Sequence, residues 1–429
     1  MTETQPSVRE KLRKLYEKGL VHIMGATFLN KVFAFVGNVF VVRILTKTEY
    51  GIFGYTDNFL ALFISLNGLG MAQAMMQYCS EKRSTEERKK YTRYAFLFGV
   101  GFNLIVFVMV LLCAMFAPLK ISAARPYLML FSFYPVLYYV DTFYCMLTRC
   151  RRDNREYAKI VNINAFLYMV GEIVGAYCIE AYGVILAIYI AELGASFVGM
   201  RYEKVSVVLD AGQLTRSQKK SMIKYAGFSC VNTLISNLLV IMDIFLIGYI
   251  IADPVSVASY KVGATIPNVM IVFPTSMMMF VYPYFAEHNT DKEWFIKNAK
   301  KLFLYTGIVN LILSALLFIC APLIIKILWG QKYMSSLTVF RILSINYFIS
   351  ATFRVNASSL LATLRKVNLN FYINLIAGTS NIILVAVMIK SFGLIGAPIA
   401  TCMVVVITTL MLLPILLRSM NDIGKECIE

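Results

Sequence analysis

The chain has 429 residues, of which 59% are hydrophobic, and its mean hydropathy is +0.68, values that exclude an ordinary water-soluble protein. Its formal charge of +17 would suit a nucleic-acid-binding protein, but such proteins concentrate their basic residues on one soluble face. Here 30 of the 41 lysines and arginines fall in every second loop between apolar stretches, which excludes a nucleic-acid partner and indicates a protein that crosses a membrane many times.

Twelve apolar stretches are predicted to be transmembrane helices, because each can supply the roughly 20 residues that cross a hydrocarbon core. In chain order they are 21–43, 53–76, 94–117, 126–147, 160–180, 183–200, 225–250, 257–284, 302–325, 342–364, 367–389 and 394–417. The predicted fold class is therefore an all-α membrane protein without a separate soluble domain.

The distribution of basic residues predicts the orientation of these helices. Cytoplasmic loops carry the excess of lysine and arginine, and here the excess lies before the first stretch and in the even-numbered loops. Both termini are thus predicted to face the cytoplasm of a bacterial inner membrane. Within the single membrane domain of residues 1–429, the longest loop, 201–224, is predicted to be a cytoplasmic linker between two six-helix bundles, 21–200 and 225–417.

The two bundles are predicted to be an internal duplication. When the chain is shifted by 205 residues, Thr27, Lys31, Asn38 and Tyr55 align with Asn232, Ser236, Asp243 and Tyr260, in that order. A weaker match, at a slightly larger offset, places Leu147–Arg149 on Thr363–Arg365. Because the offset carries a helix onto another of the same direction, the repeat is predicted to be parallel, with a binding site at the repeat interface. The alternative is a chance alignment of amphipathic helices.

Several charged residues lie inside the predicted helices, where each costs about 2.5 to 3.5 kcal/mol unless it faces a partner or a water-filled cavity. The basic ones are Lys31, Arg43, Lys261 and Arg354, and the acidic ones are Asp57, Asp141, Glu172, Glu192 and Asp243. The alternative to a functional role is a structural ion pair, and for Arg43 it is snorkelling to the headgroups. Lys31 and Arg354 are predicted to line one central cavity at mid-membrane depth.

Asparagines extend this polar surface. Asn30 and Asn38 lie on the same helix as Lys31, and the eleventh stretch carries Asn370, Asn374 and Asn381 at i, i+4 and i+11. Stripes of this kind also join helices through hydrogen bonds, so packing is the alternative to substrate binding.

Three stretches carry unusual residues for a membrane helix. The second contains Gly68 and Gly70, which predict close helix packing. The fourth has seven aromatic residues around Pro135, for which stacking on sugar rings and ordinary packing are the two interpretations. The eighth contains Pro267, Pro274 and Pro283. Proline permits bends, so the eighth stretch is predicted to be a moving element.

Sequence motifs of enzymes are absent. The chain has no P-loop, no GxSxG and no dinucleotide-binding glycine motif, and its only histidines are His22 and His288. We therefore expect a protein that is not an enzyme and that has neither a metal site nor an organic cofactor.

The segment RILTKTEYGIFGY at Arg43–Tyr55, followed by GLGMA at Gly68–Ala72, resembles the opening signature of bacterial polysaccharide flippases. These are the O-antigen and capsule repeat-unit translocases, and they share a superfamily with lipid II flippases and multidrug and toxin extruders. Thr46 stands where glycine is common in that family. Twelve predicted spans in two halves extend the resemblance over the whole chain.

The resemblance implies translocation of a polyprenyl-pyrophosphate-linked oligosaccharide from the cytoplasmic to the outer leaflet, by alternating access driven by an ion gradient. The residues expected to bind the substrate are Lys31, Lys261, Arg354, Arg43, Asn30, Asn38 and Asn374, and those expected to couple H⁺ or Na⁺ are Asp57, Glu172 and Asp243. The protein is expected to be a monomer that contacts the lipid-linked glycan and membrane lipid and works beside a glycan polymerase and glycosyltransferases.

Two alternatives stay open at this point. A cation or drug antiporter of the same fold would use the acids to bind its substrate. A polysaccharide polymerase or ligase would need a larger outer loop than residues 326–341, the longest one predicted here.

Overall fold

The computed structural model of the protein describes residues 20–81, 83–364 and 366–423, and nearly all of them are helical. Helices of the first half are α1 (Leu20–Ile44), α2 (Lys47–Ile64), α3 (Met71–Ser80), α4 (Thr85–Phe116), α5 (Arg125–Phe131), α6 (Tyr134–Cys150), α7 (Asn154–Tyr202) and α8 (Val205–Leu209). Those that follow are α9 (Arg216–Ile250), α10 (Pro254–Met270), α11 (Val272–Glu287), α12 (Lys292–Leu328), α13 (Leu337–Ile349), α14 (Val355–Thr363), α15 (Val367–Phe392) and α16 (Gly396–Asn421). Each predicted stretch overlaps one or two of these helices, and the all-α fold class is confirmed.

Seven helical stretches among the described residues are long and apolar enough to cross a membrane. They are Lys47–Ser80, Thr85–Phe116, Asn154–Tyr202, Pro254–Glu287, Lys292–Leu328, Gln331–Thr363 and Tyr372–Asn421. Large side chains on their surface are exposed, with Phe116 at 75% and Ile319 at 71%, as expected where lipid replaces water. The chain is a multi-pass membrane protein. The count of twelve spans and the cytoplasmic position of both termini stay predictions.

The chain divides into two compact units, and the boundary lies between Asn237 and Leu238, inside α9. The core of the first unit includes the buried side chains Met71, Tyr91, Tyr139, Tyr144 and Ala226. That of the second includes Phe285, Phe295, Leu302, Leu360 and Leu412. The predicted bundles 21–200 and 225–417 with their linker 201–224 stay a prediction, since the boundary between the units falls within a helix rather than in that loop.

Helix α2 begins with a capping box at the one position that departs from the family signature. Thr46 precedes the helix, its hydroxyl accepts a hydrogen bond from the Glu49 backbone N–H at 3.2 Å, and Glu49 Oε2 accepts one from the Thr46 backbone N–H at 3.0 Å. Glycine is also favoured at this position of a helix. Threonine in place of the family's glycine therefore keeps the helix start intact.

The apolar stretch that contains α2 and α3 is broken by a left-handed turn. Gly68, Leu69 and Gly70 have φ angles of 55°, 50° and 77°, a region that glycine adopts readily. A Cβ atom on Gly68 would lie 2.1 Å from the ring of Tyr139, and one on Gly70 would lie 2.5 Å from the carbonyl oxygen of Ala226. The predicted close packing at these glycines is confirmed, and their left-handed φ angles also interrupt the helix between α2 and α3, which packing arguments alone did not anticipate.

Two further breaks occur where proline removes a backbone donor. Helix α5 ends at Phe131 and α6 begins at Tyr134, because Pro135 has no N–H to offer the Phe131 carbonyl. In the second unit α10 ends at Met270 and α11 begins at Val272, because Pro274 has no N–H to offer the Met270 carbonyl. The predicted bend in the eighth stretch is present; that this stretch moves stays a prediction.

Helix α7 is a hairpin of two arms joined at Ile179 and Glu180. Glu180 has φ 57° and ψ −138°, and the arms approach so closely that a Cβ on Gly183 would lie 2.0 Å from the Gly175 carbonyl oxygen. In the second unit, α15 and α16 are joined in the same way at Gly393, with φ 60° and ψ −140°. A Cβ on Gly396 would there lie 2.0 Å from the Met388 carbonyl oxygen.

A buried tyrosine, a buried asparagine and a hairpin turn follow one another in the same order in both units. Tyr55 corresponds to Tyr260 and Asn103 to Asn310, and all four side chains are buried. The hairpin turns at Glu180 and Gly393 correspond in the same way. The separation between paired positions grows slowly along the chain, as expected of two copies with short insertions. This order supports the predicted duplication. Glu180 and Gly393 are 213 residues apart, slightly fewer than the 216 residues between Leu147 and Thr363 in the weaker sequence match.

Candidate functional site

Two acids predicted to couple ions, Asp57 and Glu172, share one polar cluster in the first unit. Glu172 is 3% exposed and lies against α1, where a Cβ on Gly37 would be 1.7 Å from Glu172 Oε1. Tyr168, one turn earlier on α7, lies near both Glu172 and Asp57. The absence of a side chain at Gly37 thus creates the space that the Glu172 carboxylate occupies.

Asn38 follows Gly37 on α1 and belongs to the same region. Its side-chain amide donates a hydrogen bond to the Tyr50 hydroxyl at 3.1 Å, and its buried Oδ1 has no hydrogen-bond partner among the residues that the structure describes. An amide with an unused acceptor, one residue from the contact between Gly37 and Glu172, is suited to a ligand that donates hydrogen bonds or carries positive charge. Asn38 therefore fits the ion-coupling cluster as well as the substrate-binding role predicted for it.

A second carboxylate pair lies between α6 and α7. Glu192 is 5% exposed, its Oε1 accepts a hydrogen bond from the Tyr134 hydroxyl at 3.4 Å, and its buried Oε2 accepts no hydrogen bond from any described residue. Asn164 also contacts Glu192, and Asp141 is close enough for the two negative charges to repel. Both acids are recognisable in the sequence as charges inside helices, but their proximity depends on how α6 packs on α7, which no sequence spacing reveals.

The second unit holds its own buried acid, Asp243, which is 8% exposed. Asp243 Oδ2 accepts hydrogen bonds from the Tyr260 hydroxyl at 2.5 Å and the Thr401 hydroxyl at 2.8 Å, and Oδ1 accepts one from the Asn381 amide at 3.4 Å. All three donors are neutral, so the carboxylate is solvated by protein without a counter-ion in this cluster. Asn381 belongs to the predicted asparagine stripe, whereas Thr401, on the distant helix α16, carries no signal in the sequence.

Arg354 lies at the end of a π-helical turn, Ser350–Arg354, a wide turn that is often found at functional sites. Its side chain is half-buried and donates a hydrogen bond to Asn374 Oδ1 at 3.4 Å, so the structure brings these two predicted substrate ligands together. Among the described residues it forms no ion pair.

The other predicted substrate ligands are dispersed. Lys31 is exposed on α1 and, within the described part of the chain, forms no ion pair, while Asn30 beside it is half-buried. Arg43 is exposed in the last turn of α1 and Lys261 is half-buried on α10, and both have contacts with other groups. The side chains of Thr27 and Ser236 lie outside the described set. The cavity predicted to hold both Lys31 and Arg354 stays a prediction, since they belong to different units.

The aromatic side chains of the fourth stretch are mostly used in packing. Phe131, Tyr139, Phe143 and Tyr144 are all buried, and the Tyr139 hydroxyl donates a hydrogen bond to the Ala95 carbonyl at 2.6 Å. Of the two interpretations, ordinary packing is therefore the correct one for these four residues.

Comparison with known sequences identifies relatives of the chain. Residues 17–289 match the family described as polysaccharide biosynthesis protein. An uncharacterized membrane protein of Methanocaldococcus jannaschii is 22% identical over 415 residues, which cover 90% of this chain and 80% of that protein.

Solved structures share the fold at low sequence identity. An inward-facing multidrug resistance MATE family transporter of the MOP superfamily superposes with a TM-score of 0.79 at 10% identity, over 95% of this chain and 99% of that chain. The lipid II flippase MurJ in an inward closed conformation gives 0.70 at 15% identity, over 94% and 89%. A MOP superfamily transporter from Pyrococcus furiosus gives 0.61 at 10% identity, over 95% of each chain.

These relatives bear on the sequence predictions. The resemblance to polysaccharide flippases is confirmed, and the named structures are transporters, which agrees with the expectation that the chain is not an enzyme. The family match covers more than half of the chain. The protein is therefore a member of the polysaccharide biosynthesis protein family with the fold of the MOP-superfamily transporters.

Proposed function

We propose that the protein is a flippase that moves a polyprenyl-diphosphate-linked oligosaccharide from the cytoplasmic to the outer leaflet of the cytoplasmic membrane. Membership of a polysaccharide biosynthesis family supports a glycan cargo, and a relative named as a lipid II flippase has the same fold. In this proposal the chain has twelve spans in two parallel halves, both termini are cytoplasmic, and the protein acts as a monomer beside glycosyltransferases and a glycan polymerase.

The observation that carries the proposal is the pair of basic side chains without acidic partners. Lys31 and Arg354 lie within apolar helices, and in the described residues neither forms an ion pair, so structural pairing does not explain them. Because a charge at this position is costly, it is retained where a ligand compensates it. A diphosphate is suited to both, since lysine acts as a point charge and arginine as a two-pronged donor.

Three acids within the helices, half-buried Asp57 and buried Glu172 and Asp243, are proposed to couple transport to an H⁺ or Na⁺ gradient. Asp57 and Glu172 share one cluster in the first unit, and Asp243 is surrounded by three neutral donors in the second. Among the described residues Asp243 is bound by neutral donors only, and a buried carboxylate of this kind gains most from binding a proton or a small cation. At 8% exposure and with three hydrogen bonds, Asp243 has little surface left for a large organic cation.

The second candidate is a drug or cation antiporter, and one observation favours it. The superposition on the multidrug transporter, with a TM-score of 0.79, is closer than that on the lipid II flippase, at 0.70. In that case Asp57, Glu172 and Asp243 would bind the cargo, and Lys31 and Arg354 would be dispensable.

Reconstituted flipping separates the two candidates. Purified protein in proteoliposomes is supplied with a fluorescent polyprenyl-diphosphate oligosaccharide in one leaflet, and its transfer is followed by dithionite quenching under an imposed ion gradient. Lys31→Ala and Arg354→Ala are each expected to weaken substrate binding about 10- to 100-fold, the value of a charge-assisted hydrogen bond of about 1.5 to 3 kcal/mol. Arg418→Ala, an exposed cation at the end of α16, is the matched control and is expected to flip normally.

Each outcome decides the question. Flipping that depends on Lys31 and Arg354, together with Asp243→Asn that binds substrate but no longer responds to the gradient, supports the proposal. Normal flipping in both alanine variants contradicts it. Export of cationic dyes that is lost in Asp243→Asn, with no transfer of the lipid-linked glycan, establishes the antiporter instead.

A further inference from the structure

The first unit contains a basic cavity that lies apart from the candidate site residues. The cavity has a volume of about 370 Å³ and lies between the start of α4 and the loop 210–215 that precedes α9. Lys90, Arg93 and Lys219 line it, together with Tyr94, and none of the lining residues is acidic. Three positive charges without a lining carboxylate create a potential that attracts an anion.

Local contacts fix two of these cations without neutralising them. The Arg93 guanidinium donates a hydrogen bond to the Ala211 carbonyl, which ties α4 to the loop. The Lys219 ammonium lies 5.7 Å from the centre of the Tyr94 ring. Lys90 has an acidic neighbour, Glu86 at 3.4 Å, but that side chain is 79% exposed and screened by water, so the pair is weak.

One side of the cavity continues into the apolar surface of α4. Leu97 lines the cavity and is 48% exposed, and one turn further Gly101 has no atom within 4 Å of where a Cβ would lie. Ile105, another turn along the same face, is 58% exposed. Lys90 and Arg93 thus lie at the end of α4 where its predicted membrane-crossing stretch, 94–117, begins, and an exposed apolar face of α4 leads away from them.

We propose that this cavity binds the phosphate of an anionic membrane phospholipid, with an acyl chain lying along Leu97, Gly101 and Ile105 of α4. Basic pockets at the cytoplasmic edge of membrane helices recognise lipid headgroups, and the exposed apolar face of α4 beside the cavity favours a lipid over free phosphate. The bound phosphate links α4 to the loop and to α9. The proposal concerns a resident lipid and does not depend on what the protein transports.

Native mass spectrometry of the full-length, delipidated protein in detergent tests this assignment. The protein is titrated separately with phosphatidylglycerol, phosphatidylcholine and inorganic phosphate, and the affinity of the tightest site is measured. Each basic residue near an anionic lipid is expected to contribute about fivefold, so the triple variant Lys90→Gln, Arg93→Gln, Lys219→Gln should bind phosphatidylglycerol about a hundredfold more weakly. The exposed residues Lys89, Lys220 and Lys301, which do not line the cavity, are changed to Gln together as the charge-matched control, and this variant should bind normally.

A second variant fills the cavity while keeping all its charges. A Cβ on Gly212 would lie 2.8 Å from Lys90 Cε, so Gly212→Leu displaces a flexible side chain and occupies the space. It should lose phosphatidylglycerol while keeping the size-exclusion profile of the unchanged protein. The proposal would be overturned if the protein bound phosphatidylcholine as tightly as phosphatidylglycerol, or if equimolar inorganic phosphate displaced phosphatidylglycerol. It would also be overturned if the control variant were weakened equally, or if both cavity variants kept full binding.

Discussion

Asn103 is the residue whose replacement tests the described break between α2 and α3 most directly. Its side chain is completely buried on α4 and forms three hydrogen bonds: its Oδ1 accepts from the Gly68 backbone N–H at 3.0 Å, and its amide donates to Asn67 Oδ1 at 3.0 Å and to the Pro135 carbonyl at 2.9 Å. The amide thus joins the left-handed turn of the second stretch to the proline break of the fourth. Asn103→Leu keeps the number and branching of the side-chain heavy atoms and removes all three bonds, and the same change at Asn310 controls for the greater volume of leucine.

The expected loss of unfolding free energy depends on whether the hydrogen-bond partners of Asn103 can find other partners once the amide is removed. Each lost hydrogen bond is worth about 0.6 to 1 kcal/mol, and the Gly68 N–H and Pro135 carbonyl are backbone groups that cannot turn to another partner. We therefore expect Asn103→Leu to lower the free energy of unfolding by about 3 kcal/mol. Asn310→Leu, the matched change at the corresponding position of the second unit, should cost about 1 kcal/mol, because its two partners are the Tyr347 and Thr352 hydroxyls, which can rotate.

Reversible unfolding in mixed micelles, with the fraction of SDS as denaturant and helicity as the signal, gives both free energies. A smaller loss for Asn103→Leu than for Asn310→Leu would refute the reasoning, because it would mean that the two breaks in the first unit do not rely on this amide. Equal losses would show that the difference between backbone and hydroxyl partners has no energetic consequence here.

Three further predictions concern the helix starts and turns. Gly183→Leu should abolish monodisperse protein in size-exclusion chromatography, because its Cβ would lie 2.0 Å from the Gly175 carbonyl oxygen, whereas Gly101→Leu, with open space around it, should leave the profile unchanged. Glu180 and Gly393 both have φ near 60°, which strains any residue other than glycine. Glu180→Gly should therefore stabilise the protein by about 1 kcal/mol in the same SDS titration, and Gly393→Ala should destabilise it. The opposite signs would show that the turns are not strained. Thr46→Gly should cost a few tenths of a kcal/mol and Thr46→Ala about 1 kcal/mol, because only alanine removes a favoured helix cap; equal costs would contradict the capping role.

The helices themselves could be predicted from the sequence because lipid imposes one simple rule on the backbone, that it be helical where it is apolar and long. Two breaks also had local signals, since Pro135 and Pro274 lack the N–H that a continuous helix needs. The hairpin turn at Glu180 had none, because glutamate gives no indication of a left-handed φ. Its counterpart Gly393 does, and an alignment of the two halves that paired these positions would have found it.

The candidate site was predictable in its charges but not in their partners. Asp57, Glu172 and Asp243 were recognisable because an acid within an apolar helix is rare. Their neighbours come from distant segments: Thr401 reaches Asp243 from α16, and Gly37 makes room for Glu172 only because α1 packs on α7. Such contacts depend on tertiary packing, which the spacing of residues along one helix does not encode.

The short turn of α7 has a consequence for how the chain enters the membrane. Only residues 176–182 lie between Gly175 and Gly183, where the arms cross, and the departure from helical geometry is confined to Ile179 and Glu180. Because the turn leaves no spare segment, we expect the two arms to enter the bilayer together as one helical hairpin. An epitope inserted at this turn is expected to disturb the close approach of Gly175 and Gly183 and with it the pairing of the arms.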